Sequence, residues 1–418
     1  MTIRKKIWII NQYSTLPDNG MGGRSYYFAK ELAKKGHSVN LIAASYHHMI
    51  PTPVEQKDVL SKRWHKGFDF VTIKTPMYSH AHSLLRVSAW FLFMLRLRLL
   101  IKFLPESPDL ILVSTPSVIS YLGAEYLARK TKAELVWDLR DPWPATLIEL
   151  GGKSPAHPFI KFLQWVEDRA CRNSNKVMSN SPLMINHVAS RGVSADSFEW
   201  IPNGFSKSEF EASMPLSKEF LNKIPLNKFI VTYVGTLGMA NATDVLLDVA
   251  ERMKGYHDVL FLVVGGGKDS VEFESEIIDR NLGNVLYMGR VEKQQVPTVL
   301  GLADCCYVGF RKNPLYRLGS ALNKLPEYLA SKKPIIYSIT SPFKPVDDAG
   351  AGITVDAEDV EGIVSAILSL KGMPPSEREK LGQSGYNYAI ANHDYESLSG
   401  KLDSFLFSDD HKKRHSNI

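Results

Sequence analysis

Residues 322–334 read LNKLPEYLASKKP, and the fold turns on how this stretch is interpreted. The spacing predicts a short helix with Leu325, Tyr328 and Leu329 on its buried side, ended by SKKP and followed by an apolar strand. A flexible basic approach, GFRKNPLYRLGSA, precedes it. Free backbone N–H groups and the positive end of the helix dipole are therefore expected to face an anion. Lys324 adds a full positive charge at that end. Glu327, three residues on, projects from nearly the same face, where a carboxylate accepts hydrogen bonds from ribose hydroxyls. The competing account is an ordinary amphipathic helix with solvated charges, and these residues alone leave both open.

Working outward, a chain of 418 residues exceeds what one hydrophobic core usually serves, so two domains are expected. With 44% hydrophobic and 22% charged residues the balance is that of a globular protein throughout. A net charge of +6 is too mild to indicate nucleic acid, and suits anionic small molecules or the inner face of a cytoplasmic membrane. Cys171, Cys305 and Cys306 form no disulfide framework and no zinc spacing, which fits a reducing cytoplasm. The opening MTIRKKIWII is a first strand rather than a signal peptide, and no long uncharged apolar stretch predicts a membrane span.

After that first strand comes NQYSTLPDNGMGGR, in which Gly20, Gly22 and Gly23 permit tight turns and close backbone approach to a ligand ahead of a helix. Arg24 is placed to reach a diphosphate, the alternative being a mobile loop with turn glycines. SVNLIAA, DFVTIKT, DLILVST, AELVWDL and NKVMSNS follow as further strands with helical stretches between most of them. This alternation predicts a parallel sheet with ligands at the carboxyl ends of its strands. At one such end, DLRDPWP must be a shaped loop because prolines bracket Trp143. There Asp141 is a candidate to hold or polarise a substrate hydroxyl, with Arg140 keeping it ionised; an Asp capping the turn is the alternative.

Residues 83–105, SLLRVSAWFLFMLRLRLLIKFLP, are apolar nearly all round but carry Arg86, Arg96, Arg98 and Lys102. Four basic residues make spanning unfavourable, at about 2.5 to 3.5 kcal/mol each at mid-bilayer. Trp90 with the flanking arginines suits an interfacial helix on anionic lipid, against a core helix with snorkelling arginines. His80 and His82 lack a third metal ligand at a telling spacing.

A polar, proline-punctuated stretch separates FEWIPNGF from FIVTYVG, and there the domain boundary is expected. The alternation then restarts with FIVTYV, VLFLVVGGG, VLYMGRV and CCYVGF, a second doubly wound domain. Its first turn, GTLGMANATD, offers Gly235, the Thr236 hydroxyl and backbone N–H groups for phosphate. GGGK is a weaker signal of the same kind, and Arg290 and Val291 in MGRV could flank a base. No DxD pair of carboxylates is present to hold a divalent cation on a diphosphate.

Taken in order, GMGGR, DLRDPWP, IPNG, YVGTLG, VVGGG, MGRV and NKLPEYLASKKPI resemble the GT-B glycosyltransferases of retaining family 4 over nearly the whole chain. Within it the set is similar to bacterial O-antigen and capsule enzymes, including N-acetyl-L-fucosaminyltransferases. The resemblance implies two Rossmann-like domains facing across a cleft: residues 1–206 for the acceptor, residues 207–390 for the nucleotide sugar, and residues 391–418 crossing back to the first domain. It also implies that Glu327 binds ribose, that Leu322 and Asn323 present backbone N–H groups to phosphate, and that Gly22 and Gly23 face the diphosphate. The sequence departs from the family in three places. Gly319 stands about where the first glutamate of the family pair belongs, the usual Arg and Lys after the first C-terminal strand are missing from GTLGMANATD, and the catalytic-loop His is absent near Arg140 and Asp141. The implied reaction is metal-independent, retaining sugar transfer without a cofactor, from a donor expected to be UDP-linked. The basic, membrane-leaning N-terminal domain fits a polyprenyl-diphosphate-linked saccharide as acceptor, with the enzyme peripheral on the cytoplasmic membrane. A sugar-nucleotide 2-epimerase and a non-catalytic sugar-nucleotide or membrane scaffold remain alternatives.

Overall fold

The computed structural model describes residues 4–20, 22–51, 53, 55–78, 83–225, 227–238 and 241–407. His80 and His82 lie outside the described residues, as does the tail after Phe407. The chain divides into two compact units, one comprising residues up to Pro202 together with those from Leu398 on, the other Asn203–Ser397.

Among the described residues, the first unit holds an eight-stranded sheet. Its strands are β1 (Lys6–Ile10), β2 (Ser38–Ala44), β3 (Leu60–His65), β4 (Phe68–Ile73), β5 (Leu110–Ser114), β6 (Glu134–Leu139), β7 (Lys176–Ser179) and β8 (Phe198–Trp200). They lie in the order β3-β4-β2-β1-β5-β6-β7-β8. All pairs are parallel except β3 with β4. The central strands are continuous buried apolar runs, as strands covered on both faces must be. β3, sequence LSKRWH, is largely exposed and was not expected. It has no apolar run to announce it and exists as the charged outer partner of a hairpin, a common way of blunting a sheet edge.

The helix Leu84–Leu97 and the short helix Leu100–Phe103 account for residues 83–105. Trp90, Phe93, Leu97, Leu100 and Leu104 recur at helical spacing and are buried. The packing on the helix Ser120–Thr131 is close enough that a side chain at Gly123 would strike the Met94 carbonyl. The segment is therefore two-faced, with one face committed to the interior and Leu95, Arg98, Leu99, Ile101, Lys102 and Phe103 exposed on the other. The last helix, Tyr395–Phe407, is tied into the first unit from Leu398 on. Lys176 donates to the Phe405 and Leu406 carbonyls, at 2.6 and 2.9 Å, and His37 pairs with Asp403 at 2.9 Å.

Among its described residues the second unit holds a six-stranded parallel sheet of β9 (Phe229–Thr236), β10 (Val259–Gly266), β11 (Val285–Tyr287), β12 (Cys305–Gly309), β13 (Ile335–Ser338) and β14 (Gly352–Val355). The order is β11-β10-β9-β12-β13-β14. Alternate residues enter the cores on its two faces: Tyr233, Val263 and Tyr307 on one, Val234, Val264 and Val308 on the other. The same alternation sends the adjacent Cys305 and Cys306 to opposite faces, and all three cysteines are free and buried.

Candidate active site

The second unit's candidate site lies at the carboxyl ends of β9 and β10. Their register places Gly235 beside Gly265 and Thr236 beside Gly266. The strand ends approach so closely that a side chain on Gly265, at φ +148, would strike the Gly235 carbonyl. The GTLG and GGGK turns thus form one glycine-lined rim. Arg290 lies over Gly266 with its side chain exposed to solvent, and Val291 packs partly against the core.

β12 pairs with β9 at Val231 and Thr232, through Cys305 and Cys306. Two residues on, the Tyr328 hydroxyl takes the place of the strand, accepting from the Val234 N–H at 2.6 Å and donating to its carbonyl at 2.9 Å. That contact pins the helix Leu325–Ala330 against β9. Lys324, one turn before Tyr328 on the same face, is thereby brought to the rim. Its Nζ donates to the Tyr233 hydroxyl and to Asn241 Oδ1, both at 2.9 Å, and sits 4.3 Å above the Tyr233 ring. Gly235 makes the room: a Cβ there would stand 2.8 Å from the Lys324 ammonium. Lys324 keeps some solvent contact, yet desolvation brings its pKa down to about 7.

The helix is six residues long and starts at Leu325, later than the sequence suggested. Leu322 and Asn323 fall in the approach before it, Leu322 packing partly on the core and Asn323 exposed. So short a helix carries little dipole, and the positive charge at this point is that of the Lys324 side chain. Glu327 projects one turn on, largely shielded from solvent, and pairs with the exposed Lys293, a partner sequence reasoning missed. Such a pair with a solvated lysine is weak enough for a ligand hydroxyl to share the carboxylate. Thr236 is exposed, and its carbonyl accepts from Tyr233 and from Asn241 at 2.6 and 3.0 Å.

In the first unit, Gly22 and Gly23 adopt positive φ, +67 and +88, at the head of the eleven-residue helix Arg24–Lys34. Arg24 is not aimed at a ligand as expected. It is buried, paired with Asp138 of β6 at 3.3 Å, and donates to the Pro202 carbonyl. A buried guanidinium needs a buried counter-charge, and Asp138, which also accepts from Ser114 at 2.8 Å, supplies it.

Asp141 and Arg140 follow β6 directly. The Arg140 N–H donates to the Thr115 hydroxyl at 2.8 Å. Asp141 keeps access to solvent, but desolvation in its surroundings raises its carboxyl pKa, opposed by Arg140 and assisted by Asp138. Arg140 pulls the pKa down, in the sense expected of it, without cancelling the rise.

Beside this loop lies an aromatic cluster that sequence reasoning did not assemble. The Tyr13 hydroxyl accepts from Trp90 Nε1 at 2.6 Å and Arg86 Nε at 3.0 Å, and Trp90 meets Trp143 of the DPWP loop edge to face at 5.8 Å. His47 is buried against the Tyr13 ring with neither nitrogen in a well-formed hydrogen bond. Burial lowers its pKa to about 4, against a weaker upward pull from the Ser14 backbone. Trp90, expected on a membrane face, is thus buried in this cluster, and the half-buried Arg86 is engaged with it. Arg96 is likewise committed, donating to the Lys74 carbonyl. Arg98 and Lys102 are exposed beside Leu95, Leu99, Ile101 and Phe103. No helix among the described residues is long and apolar enough to cross a membrane.

Comparison with known proteins agrees with this architecture. Residues 18–209 match Glycosyltransferase Family 4, and residues 228–371 match Glycosyl transferases group 1. The putative colanic acid biosynthesis glycosyl transferase WcaI of Escherichia coli K12 is 22% identical over 280 residues, covering 64% of this chain and 67% of that protein. Among solved structures, sucrose-phosphate synthase of Thermosynechococcus elongatus superposes with a TM-score of 0.72 at 16% identity, over 96% of this chain and 98% of that one. WaaG, a glycosyltransferase involved in lipopolysaccharide biosynthesis, gives 0.66 at 17% identity over 96% and 100%. HepE of Anabaena in complex with UDP-glucose gives 0.66 at 14% identity over 96% and 99%. These neighbours share the GT-B fold, two Rossmann-like α/β sheets. With the two matched regions falling one on each sheet, the chain belongs to the family 4 glycosyltransferases.

Proposed function

We propose that this glycosyltransferase moves a sugar from a nucleotide-diphosphate donor, UDP-linked, onto a polyprenyl-diphosphate-linked saccharide during assembly of a bacterial surface polysaccharide. The observation that carries this reading is Lys324, a lysine held by neutral partners at the glycine-lined rim of β9 and β10, with Glu327 one turn away. A cation so placed suits the diphosphate, and the carboxylate suits ribose. WcaI and WaaG carry names tied to colanic acid and lipopolysaccharide, and HepE binds UDP-glucose, which supports the polymer class and the donor base. The similarity to N-acetyl-L-fucosaminyltransferases suggests an N-acetylated amino- or deoxyamino-sugar. Arg290, Val291, Gly235, Thr236, Leu322 and Asn323 complete the donor side in this reading.

In the proposed reaction the departing diphosphate is stabilised by Lys324 and configuration is retained without a metal. Asp141, whose carboxyl pKa is raised by desolvation, is suited to hold the acceptor hydroxyl and exchange a proton with it, with Arg140 beside it. The test is a donor screen by mass spectrometry with a synthetic prenyl-diphosphate sugar. Transfer confirms the reading, epimerised sugar without acceptor favours the epimerase, and nucleotide binding without either reaction favours a scaffold. Glu327→Ala is expected to weaken UDP binding about 10- to 100-fold, the scale of hydrogen bonds to a charged group. An unchanged Kd by calorimetry removes Glu327 from the site.

For membrane contact, the exposed apolar residues around Arg98 and Lys102 form the surface we propose. Each basic residue near anionic lipid contributes about 1 kcal/mol. Neutralising Arg98 and Lys102 together is expected to reduce binding to phosphatidylserine vesicles about 30-fold. Unchanged sedimentation rules that surface out.

A further inference from the structure

Lys324 sits in an unusual electrostatic setting. Among the described residues it has no carboxylate partner. Its hydrogen-bond partners both act as acceptors. The Tyr233 hydroxyl gives its own proton to the Thr236 carbonyl, and Asn241 donates its amide N–H to the same carbonyl while offering Oδ1 to the lysine. Two of the three N–H groups of an ammonium are thereby directed into the protein, leaving the third for a ligand. The other titratable groups on the elements around it do not neutralise it. Tyr233 beneath it and Tyr328 on its own helix are phenols kept protonated by burial, and Glu327 is engaged with Lys293. Asp269 lies by Gly238 and Arg290 over Gly266, on the rim rather than against the ammonium.

We infer that Tyr233 and Asn241 are positioning residues that hold Lys324 short of a counter-ion, so that binding of the donor diphosphate takes up a proton from solvent and places the full charge on Lys324. This rests on the donor site proposed above. Desolvation without compensation is what depresses the free lysine to about 7, and a diphosphate supplies the missing compensation. The balance is simple: the neutral amine accepts one proton as the anion arrives, and the proton returns to solvent on release. The sign follows from linkage. A group whose pKa rises on binding contributes fully below its free-state value, and the contribution is lost as pH rises toward the bound-state value.

The experiment is calorimetry with UDP-glucose and GDP-mannose, whose diphosphates do not titrate near neutral pH. Each is measured at about pH 8.5 in two buffers of different ionisation enthalpy, and then from about pH 6 to about pH 9. Near one proton taken up per nucleotide is expected, with affinity falling about tenfold per pH unit above about pH 8. Asn241→Asp places a carboxylate on the partly exposed position that faces Lys324. It is expected to charge the lysine before the ligand arrives, abolish the uptake and flatten the pH profile while weakening binding. Tyr233→Phe removes one acceptor and moves the profile to lower pH, an independent check if the first variant does not fold. Nucleotide binding in the wild type with no proton uptake and a flat profile overturns this inference and leaves the donor site standing. Should neither sugar nucleotide bind, nor UDP or GDP, at any pH, the donor-site reading falls and this inference with it.

Discussion

Lys324→Ala is expected to lower turnover by about 10² or more, with the fold intact. Removing a preorganised group aimed at charge that develops in the transition state costs about 10² to 10³ in rate, and Lys324 is placed for that task at the β9 and β10 rim. The truncation leaves Tyr233 and Asn241 their own bonds to the Thr236 carbonyl, so the rim keeps its shape. It also relieves the desolvation of an unpaired amine. The thermal midpoint is therefore expected to hold while kcat falls. Initial rates at saturating donor, set beside a melting curve, separate the two. Wild-type turnover in this variant would remove Lys324 from the chemistry.

Asp138→Ala is expected to destabilise the first unit by about 3 to 5 kcal/mol, because it takes the buried counter-charge Asp138 away from a buried guanidinium. Arg24 and Asp138 expose only 2% of each side chain, and water cannot replace the lost partner. In a unit of this size that corresponds to a fall in melting temperature of about 10 °C. The double replacement Arg24→Met with Asp138→Leu is expected to recover much of the loss, since matched apolar residues leave no charge to bury. Urea unfolding of the three proteins measures it. Equal stability of wild type and Asp138→Ala would show the pair to be dispensable. The outcome also bears on the sequence-based expectation that Arg24 contacts a diphosphate. The structure commits it to holding the head of its helix against β6 and the Pro202 carbonyl.

The two sheets were legible because strands buried on both faces are apolar runs, which local composition reveals. β3 was not, since its charged residues carry no such signal and its pairing with β4 is a tertiary choice. Glu327 and Lys324 were picked out from one short stretch, but the helix dipole invoked for them shrank to six residues and the side-chain charge took its place. Residues 83–105 were noticed for their composition alone. Which arginines face inward depended on Tyr13, 73 residues from Arg86, and on the Lys74 carbonyl.

The alternation of elements, the glycine-bearing turns at strand ends and the ordered motifs of a family 4 glycosyltransferase are all written in neighbouring residues. The tertiary structure alone decided who meets whom: Lys324 with Tyr233 across 91 residues, Arg24 with Asp138 across 114. The physical reason is that local spacing sets the face a side chain occupies on its own element. Its partner, and hence its charge state and task, is set by which distant element packs against that face.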